Sequence, residues 1–271
     1  MLTSLVVAMA VLAPFVTAQD PYHQDLTVSG IAQPPSRAHI LGTDELGRDV
    51  YSRIVFGSRI SLFVAASSLA LAAVVGIVLG TSAGMQGGTW DYLIMRLTDA
   101  LLAFPVLVLA IAIAAAVGRG VSGLIIAIGA VNVPLFTRLA RAQSLQLKGR
   151  EFVVAATAVG AGAYRTIARH VLPNLMNTMI VQASVSISFA IIIEAALSFL
   201  GLGVQAPAPS WGLMIATARL RMASSPHLIL APGAVIVLTV LGLNLLGDAM
   251  SDALDPRSGP AKRRWPQAGS L

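Results

Sequence analysis

Apolar runs long enough to cross a bilayer alternate with short polar stretches along almost the whole chain. The first is Leu2 to Ala18, and after a polar segment come runs over about 61–85, 92–117, 121–137, 175–199 and 228–247. A spanning helix needs about 20 apolar residues, with a range of roughly 17–25. The pattern therefore predicts an all-α, polytopic membrane protein with six transmembrane helices. Residues 19–59 read as an external segment, 138–174 as a polar island, and 249–271 as a tail. The opening run has a second reading, because Val16-Thr17-Ala18 before Gln19 fits a signal-peptidase site. No Lys or Arg precedes the run and further spans follow it, so an uncleaved first span (1–18) is the expectation.

Composition agrees with the pattern. Of the 271 residues, 56% are hydrophobic and 11% charged, with mean hydropathy +0.80. Soluble domains carry about 25% charged residues. The net charge of +6 would point to nucleic acid in a soluble chain. Here Lys and Arg collect beside apolar runs, where anchoring and orientation in lipid explain them. Cys is absent, which excludes disulfides, thiolate metal sites and a cysteine nucleophile. Arg138, Arg141, Lys148, Arg150, Arg165 and Arg169 in the island, with Arg257, Lys262, Arg263 and Arg264 in the tail, make ten basic residues, and Arg96 adds one at a helix end. The opposite side carries seven: Arg37, Arg48, Arg53, Arg59, Arg119, Arg219 and Arg221. The excess predicts both termini inside.

Polar and small residues within the runs refine the picture. Gly76, Gly80 and Gly84 recur every four residues and so share one helix face, as small-residue faces do where membrane helices approach closely. Asp91, Arg96 and Asp99 open the third run, and the spacing of Arg96 and Asp99 predicts an interfacial ion pair. Pro105 predicts a kink. Glu194 lies within two turns of its exit, where water reaches it; with Asp99 it is a candidate for the pathway or for structural polarity. Trp211 suits an interfacial anchor. Asp44, Glu45 and Asp49 in the polar segment lack further metal ligands at a recognisable spacing.

The island is the most ordered polar stretch, reading EFVVAATAVGAGAYRTIARHVLPN from Glu151 to Asn174. Glu151 to Val159 predicts a short helix that stops at Gly160-Ala161-Gly162, where positive φ is accessible. Tyr164 to Val171 predicts a second, ended by Pro173. Two short helices on a glycine elbow suit docking on another protein, against the plainer reading of a solvated basic loop.

There is no phosphate loop and no His-Glu-x-x-His, and the Gly-x-Ser-x-Gly string Gly80-Thr-Ser-Ala-Gly84 lies inside an apolar helical run instead of on a strand-to-helix turn, so the chain shows no means of binding ATP or cutting a bond. Ala155-Ala156, Gly160 and Leu172-Pro173 resemble the EAA loop of binding-protein-dependent ABC importer permeases of type I. In that family a compact Glu-Ala-Ala stands where Glu151 is here four residues before Ala155. Gly42-Thr-Asp-Glu-Leu-Gly-Arg-Asp49 through Leu62, Ser198 to Gly203, Pro207 to Gly212 and Asp252 to Arg257 resemble the dipeptide, oligopeptide and nickel branch. The resemblance implies a permease in the bacterial cell membrane that passes di- or oligopeptides, or alternatively nickel. It implies coupling through Glu151, Ala155, Ala156, Gly160, His170, Leu172 and Pro173. It also implies a second permease subunit, two ATP-binding subunits that hold ATP and Mg, and an external substrate-binding protein, with no cofactor in this chain. The resembled permeases begin with a basic tail, so a start upstream of Met1 is a further expectation. A secondary transporter would need several mid-membrane ionisable residues and internal repeats, and a membrane enzyme a catalytic constellation. Neither pattern is present.

Overall fold

The computed structural model describes residues 2–26 and 31–254. The helices in order are α1 (Leu2–Val11), α2 (Ala13–Val16), α3 (Val50–Gln86), α4 (Gly88–Leu102), α5 (Val106–Val117) and α6 (Val121–Lys148). They continue with α7 (Glu151–Ala158), α8 (Ala163–Thr166), α9 (Leu172–Phe199), α10 (Trp211–Ala218) and α11 (His227–Leu254). Among the described residues four helices are long and apolar enough to cross a membrane: α3, α6, the continuous stretch Ala163–Phe199, and α11. A fifth crossing is available from α4 and α5 together, which meet at 98°.

α3 is the axis of the fold. Its 37 residues rise about 55 Å, more than a hydrocarbon core needs. It starts eleven residues before the expected 61, because Asp49 caps it by accepting from the Ser52 amide at 2.7 Å. The polar segment thus runs directly into the span. α3 packs most extensively on α6. A Cβ on Gly76 would lie 2.5 Å from Phe136 Cβ, on Gly80 2.2 Å from Thr137 O, and on Gly84 2.9 Å from Arg141 O. Contacts advance together along both helices, so α3 and α6 run parallel. The chain from Gly87 to Gly120 must then return to its starting side. That return is made by α4 and α5, which makes the bent pair one broken crossing.

The break corrects the expected single helix over 92–117. Pro105 does more than kink it: Pro105 sits just before α5, and α4 ends at Leu102, leaving Ala103 to Pro105 to turn the chain. The pyrrolidine ring supplies no amide and clashes with the preceding turn, so the ladder stops there. The expected fourth span, 121–137, is also longer. α6 continues through Pro134 to Lys148 and takes Arg138 and Arg141 out of the island.

The expected first span, 1–18, is not a spanning helix in the described residues. α1 has ten residues and rises about 15 Å, half of what a crossing needs. Pro14, in the first turn of α2, marks a fresh start. α11 runs past the expected 247 to Leu254, antiparallel to α9, with Gly247 against Ser184 and Val185. The rest of the tail, including Arg257, Lys262, Arg263 and Arg264, lies outside the described residues.

The end of the fold around Val50 is closed by buried polar contacts. Asp44 accepts from the Arg48 side chain at 2.7 Å and from the amides of Leu46 and Arg48 at 2.9 Å each. Arg53 lies 3.3 Å from Asp44 and donates to Pro21 O at 3.1 Å. Trp211 is fully buried there, its indole donating to Ile54 O at 3.0 Å, with Gly57 making room for the ring. The expected interfacial anchor is therefore a plug: the indole satisfies its one donor inside the protein, and the lipid boundary has no claim on it.

Candidate docking surface

The island sits at the opposite end of α3. Lys148 donates to Met85 O at 2.7 Å, and Met85, Gln86 and Lys148 share a cavity of about 370 Å³ with Val153, Thr157 and Thr166. Val153 is 2% exposed, so α7 is seated on the bundle by one face only. Its other face is open. α7 starts at Glu151, whose carboxylate suits the positive end of the helix and stands exposed.

α7 is capped by Val159, whose amide bonds to Ala155 O, and Gly160 follows at φ +87°. That left-handed turn is why the elbow needs glycine: a side chain there is strained even though nothing lies within 4 Å of a Cβ. The turn folds the second piece back over the first and leaves an open groove of about 490 Å³. Ala155, Ala156, Gly160 and Ala161 line one side, and Arg165, Arg169 and His170 the other. Phe152 closes one end, 6.4 Å from the His170 ring. The floor is small and apolar, the rim cationic. Such a site takes a protruding apolar segment flanked by carboxylates.

Four predicted residues, Ala155, Ala156, Gly160 and His170, meet in this groove. Glu151, Leu172 and Pro173 do not line it. Pro173 does not end the second piece, contrary to expectation. Ile167 to Val171 forms a wider π turn, in which the Leu172 amide bonds back five residues to Ile167 O, and α9 then continues through Pro173 in its first turn. Widening the turn absorbs the missing amide without breaking the helix. The groove is therefore rigidly joined to a membrane span. Two flanking residues carried no sequence signal: Val159 and Tyr164 are each 86% exposed beside the elbow.

The candidate polar residues are placed differently from expectation. Arg96 and Asp99 do not pair. Arg96 donates to the Tyr92 hydroxyl at 3.1 Å and stacks over its ring, while Asp99 accepts from Arg138 on α6 at 2.5 Å. Asp91 pairs with Arg141 one turn further on, so two cross-helix pairs hold α4 on α6. Both arginines project from the extension of α6 beyond the expected end of that span at 137. Glu194 is not reached by water: it is fully buried and accepts from Ser61 at 3.0 Å and Ser198 at 2.8 Å. The turn of α9 that carries it is covered by α3 and α10, where Gly212 packs on Ala195.

A sequence profile described as "Binding-protein-dependent transport system inner membrane component" matches residues 76–259, most of the bundle and the whole island. The chain belongs to that family. Among permeases with similar sequences are the dipeptide transport system permease protein DppC of Alkalihalophilus pseudofirmus and the di/tripeptide permease DppC of Pseudomonas aeruginosa. Each is 44% identical over 93% of this chain, covering 82% and 85% of those proteins. The glutathione transport system permease GsiD of Pectobacterium atrosepticum is 41% identical over 93% of this chain and 84% of its own length. The solved MetNI methionine ABC transporter, in an inward-facing conformation, matches with a TM-score of 0.61 at 15% identity. The match covers 75% of this chain and 96% of that one, and shows a shared fold. The chain is thus an inner-membrane permease component of a transport system that depends on a binding protein and an ABC ATPase.

Proposed function

We propose that this permease passes di- and oligopeptides, delivered by an external binding protein, through a channel opened by ATP hydrolysis on two partner subunits. The observation that carries the coupling half of this reading is the groove of Ala155, Ala156 and Gly160 beside Arg165 and Arg169, open to solvent and joined to α9 without a break. A lever needs a free docking face and a stiff connection, and the island has both. ATP and Mg belong to the partners. The peptide assignment rests on relatives whose names specify dipeptides, tripeptides and glutathione.

The second permease subunit takes the face built from α4 and α5, where Leu93, Leu97, Phe104 and Val108 are all more than half exposed. The protein lies with the island and the end of α11 in the cytoplasm, and Asp44, Arg48 and Trp211 at the outer end. Reconstitution with both ATPase subunits, the second permease and the cognate binding protein tests the reading. Binding protein loaded with a dipeptide should stimulate hydrolysis several-fold and drive uptake into vesicles. Uptake without ATP, driven by a proton gradient, would sink it.

A further inference from the structure

Arg59 stands at the head of an apolar stripe that the transport reading does not use. Leu62, Phe63 and Ala66 follow it at the spacings of one face of α3, so a charge sits above a run of apolar side chains on the membrane-facing side. Val7 and Val11 of α1 form the second wall of a groove of about 460 Å³, and Leu243 of α11 closes its base. That volume lies in the usual range for small-molecule sites, roughly 300–1,000 Å³. Arg59 is exposed and makes no ion pair among the described residues, although Arg48, Arg53, Arg138 and Arg141 all do. Phe63 is 60% exposed.

A guanidinium at the border of the hydrocarbon region, with no carboxylate among the described residues paired to it, is open to an external counter-charge. Arg binds phosphate through two parallel hydrogen bonds, a geometry that a phosphodiester headgroup matches. The groove descends from that charge in the direction an acyl chain takes. We infer that Arg59 and the groove below it form a binding site for one anionic phospholipid, the phosphate on Arg59 and an acyl chain along Phe63 and Val11. The lipid wedges α1 against α3 and α11 where the protein alone leaves a gap. The inference rests on the membrane character of the chain and not on its cargo.

The test is native mass spectrometry of the assembled transporter complex, titrated with phosphatidylglycerol or with phosphatidylcholine of the same chains. The wild type should retain phosphatidylglycerol at least fivefold better than phosphatidylcholine. Arg59→Gln should remove that preference, Arg59→Lys should keep part of it, and Arg37→Gln, in the exposed polar segment, should leave it intact. Ala66→Phe fills the groove at an exposed position, so the protein should assemble and lose retained lipid of both kinds. Equal retention by Arg59→Gln and wild type overturns the site, as does equal loss in Arg37→Gln. A photoreactive phenylalanine at position 63 provides an independent readout. It should yield lipid adducts, and adducts with the second permease subunit would assign the groove to protein and overturn the proposal.

Discussion

Glu194 Oε2 accepts a hydrogen bond from Ser61 Oγ at 3.0 Å across 133 residues of sequence, joining α9 to α3 inside the bundle. Ser198, one turn below, donates to the other oxygen at 2.8 Å. The carboxyl group is a polar rivet. Glu194→Gln keeps an acceptor for one hydroxyl and should assemble nearly normally. Glu194→Ala strands the Ser61 and Ser198 hydroxyls and removes a partner of Ser210, each at about 1–3 kcal/mol when a buried partner is lost. The complex should show a lower melting temperature in detergent by fluorescence-detected size exclusion. An unchanged melting temperature for Glu194→Ala would mean the contact contributes nothing.

The glycine face of α3 gives a graded prediction. A Cβ at Gly80 would lie 2.2 Å from Thr137 O, a backbone atom that cannot move aside, whereas at Gly84 the nearest atoms are 2.9 Å away. Gly80→Leu should abolish assembled permease in the membrane. Gly80→Ala should cost more than Gly84→Ala, overpacking being worth about 1–3 kcal/mol or more. Quantifying the folded chain by blue-native electrophoresis ranks the three. Full assembly of Gly80→Leu would place that face toward lipid.

The two pairs between α4 and α6 should differ in weight. Side-chain exposure is 32% and 17% for Arg141 and Asp91, against 53% and 49% for Arg138 and Asp99. Exposed pairs contribute about 0–1 kcal/mol, and hydrogen bonds to charged groups with less water around them about 1.5–3. Asp91→Asn should therefore lower thermal stability more than Asp99→Asn. The reverse order would show that α4 is held mainly at its other end.

The sequence carried most of this fold because lipid allows few choices. Uncharged runs had to be helices, and the period of Gly76, Gly80 and Gly84 marked one face before its partner was visible. Boundaries were less legible. α6 runs eleven residues past the expected 137, since Arg138 and Arg141 look like loop residues until Asp99 and Asp91 are seen beside them. Pro173 misled for a related reason: a proline reads as a stop, and the π turn that accommodates it leaves no composition signal. At the island, Ala155, Ala156 and Gly160 stood out through their resemblance to the EAA loop, and their coupling role is a proposal. Their juxtaposition with Arg165 and Arg169 depends on the positive φ of Gly160, which sequence permits without requiring.

Orientation is open to direct measurement because the chain has no Cys. Ala38 and Ala206 are exposed near the Val50 end, and Ala158 is exposed on α7. Single cysteines at Ala38 and Ala206 should react with an impermeant thiol reagent on intact cells. A cysteine at Ala158 should react only in inverted vesicles. Labelling of Ala158 in intact cells would reverse the proposed topology.

The elbow distinguishes a docking surface from a solvated loop. Gly160 has φ +87° and nothing within 4 Å, so within this chain a larger residue meets strain and no clash. Asn tolerates left-handed backbone better than other residues with a Cβ, where the cost is otherwise about 1–2 kcal/mol. Gly160→Asn should then retain a substantial part of transport. Gly160→Tyr adds bulk to the mouth of a groove lined by Ala155 and Ala156. It should leave insertion and folding of the chain intact, because position 160 lies outside every helix, and abolish peptide uptake. The ATPase subunits should be lost from the membrane, or should hydrolyse ATP with no response to loaded binding protein. Comparing uptake, ATPase content and stimulated hydrolysis for the two variants separates the causes. Normal coupling in Gly160→Tyr would make the island a solvated loop. Equal failure of Gly160→Asn and Gly160→Tyr would assign the effect to the turn itself, and the groove would lose its claim as the docking face.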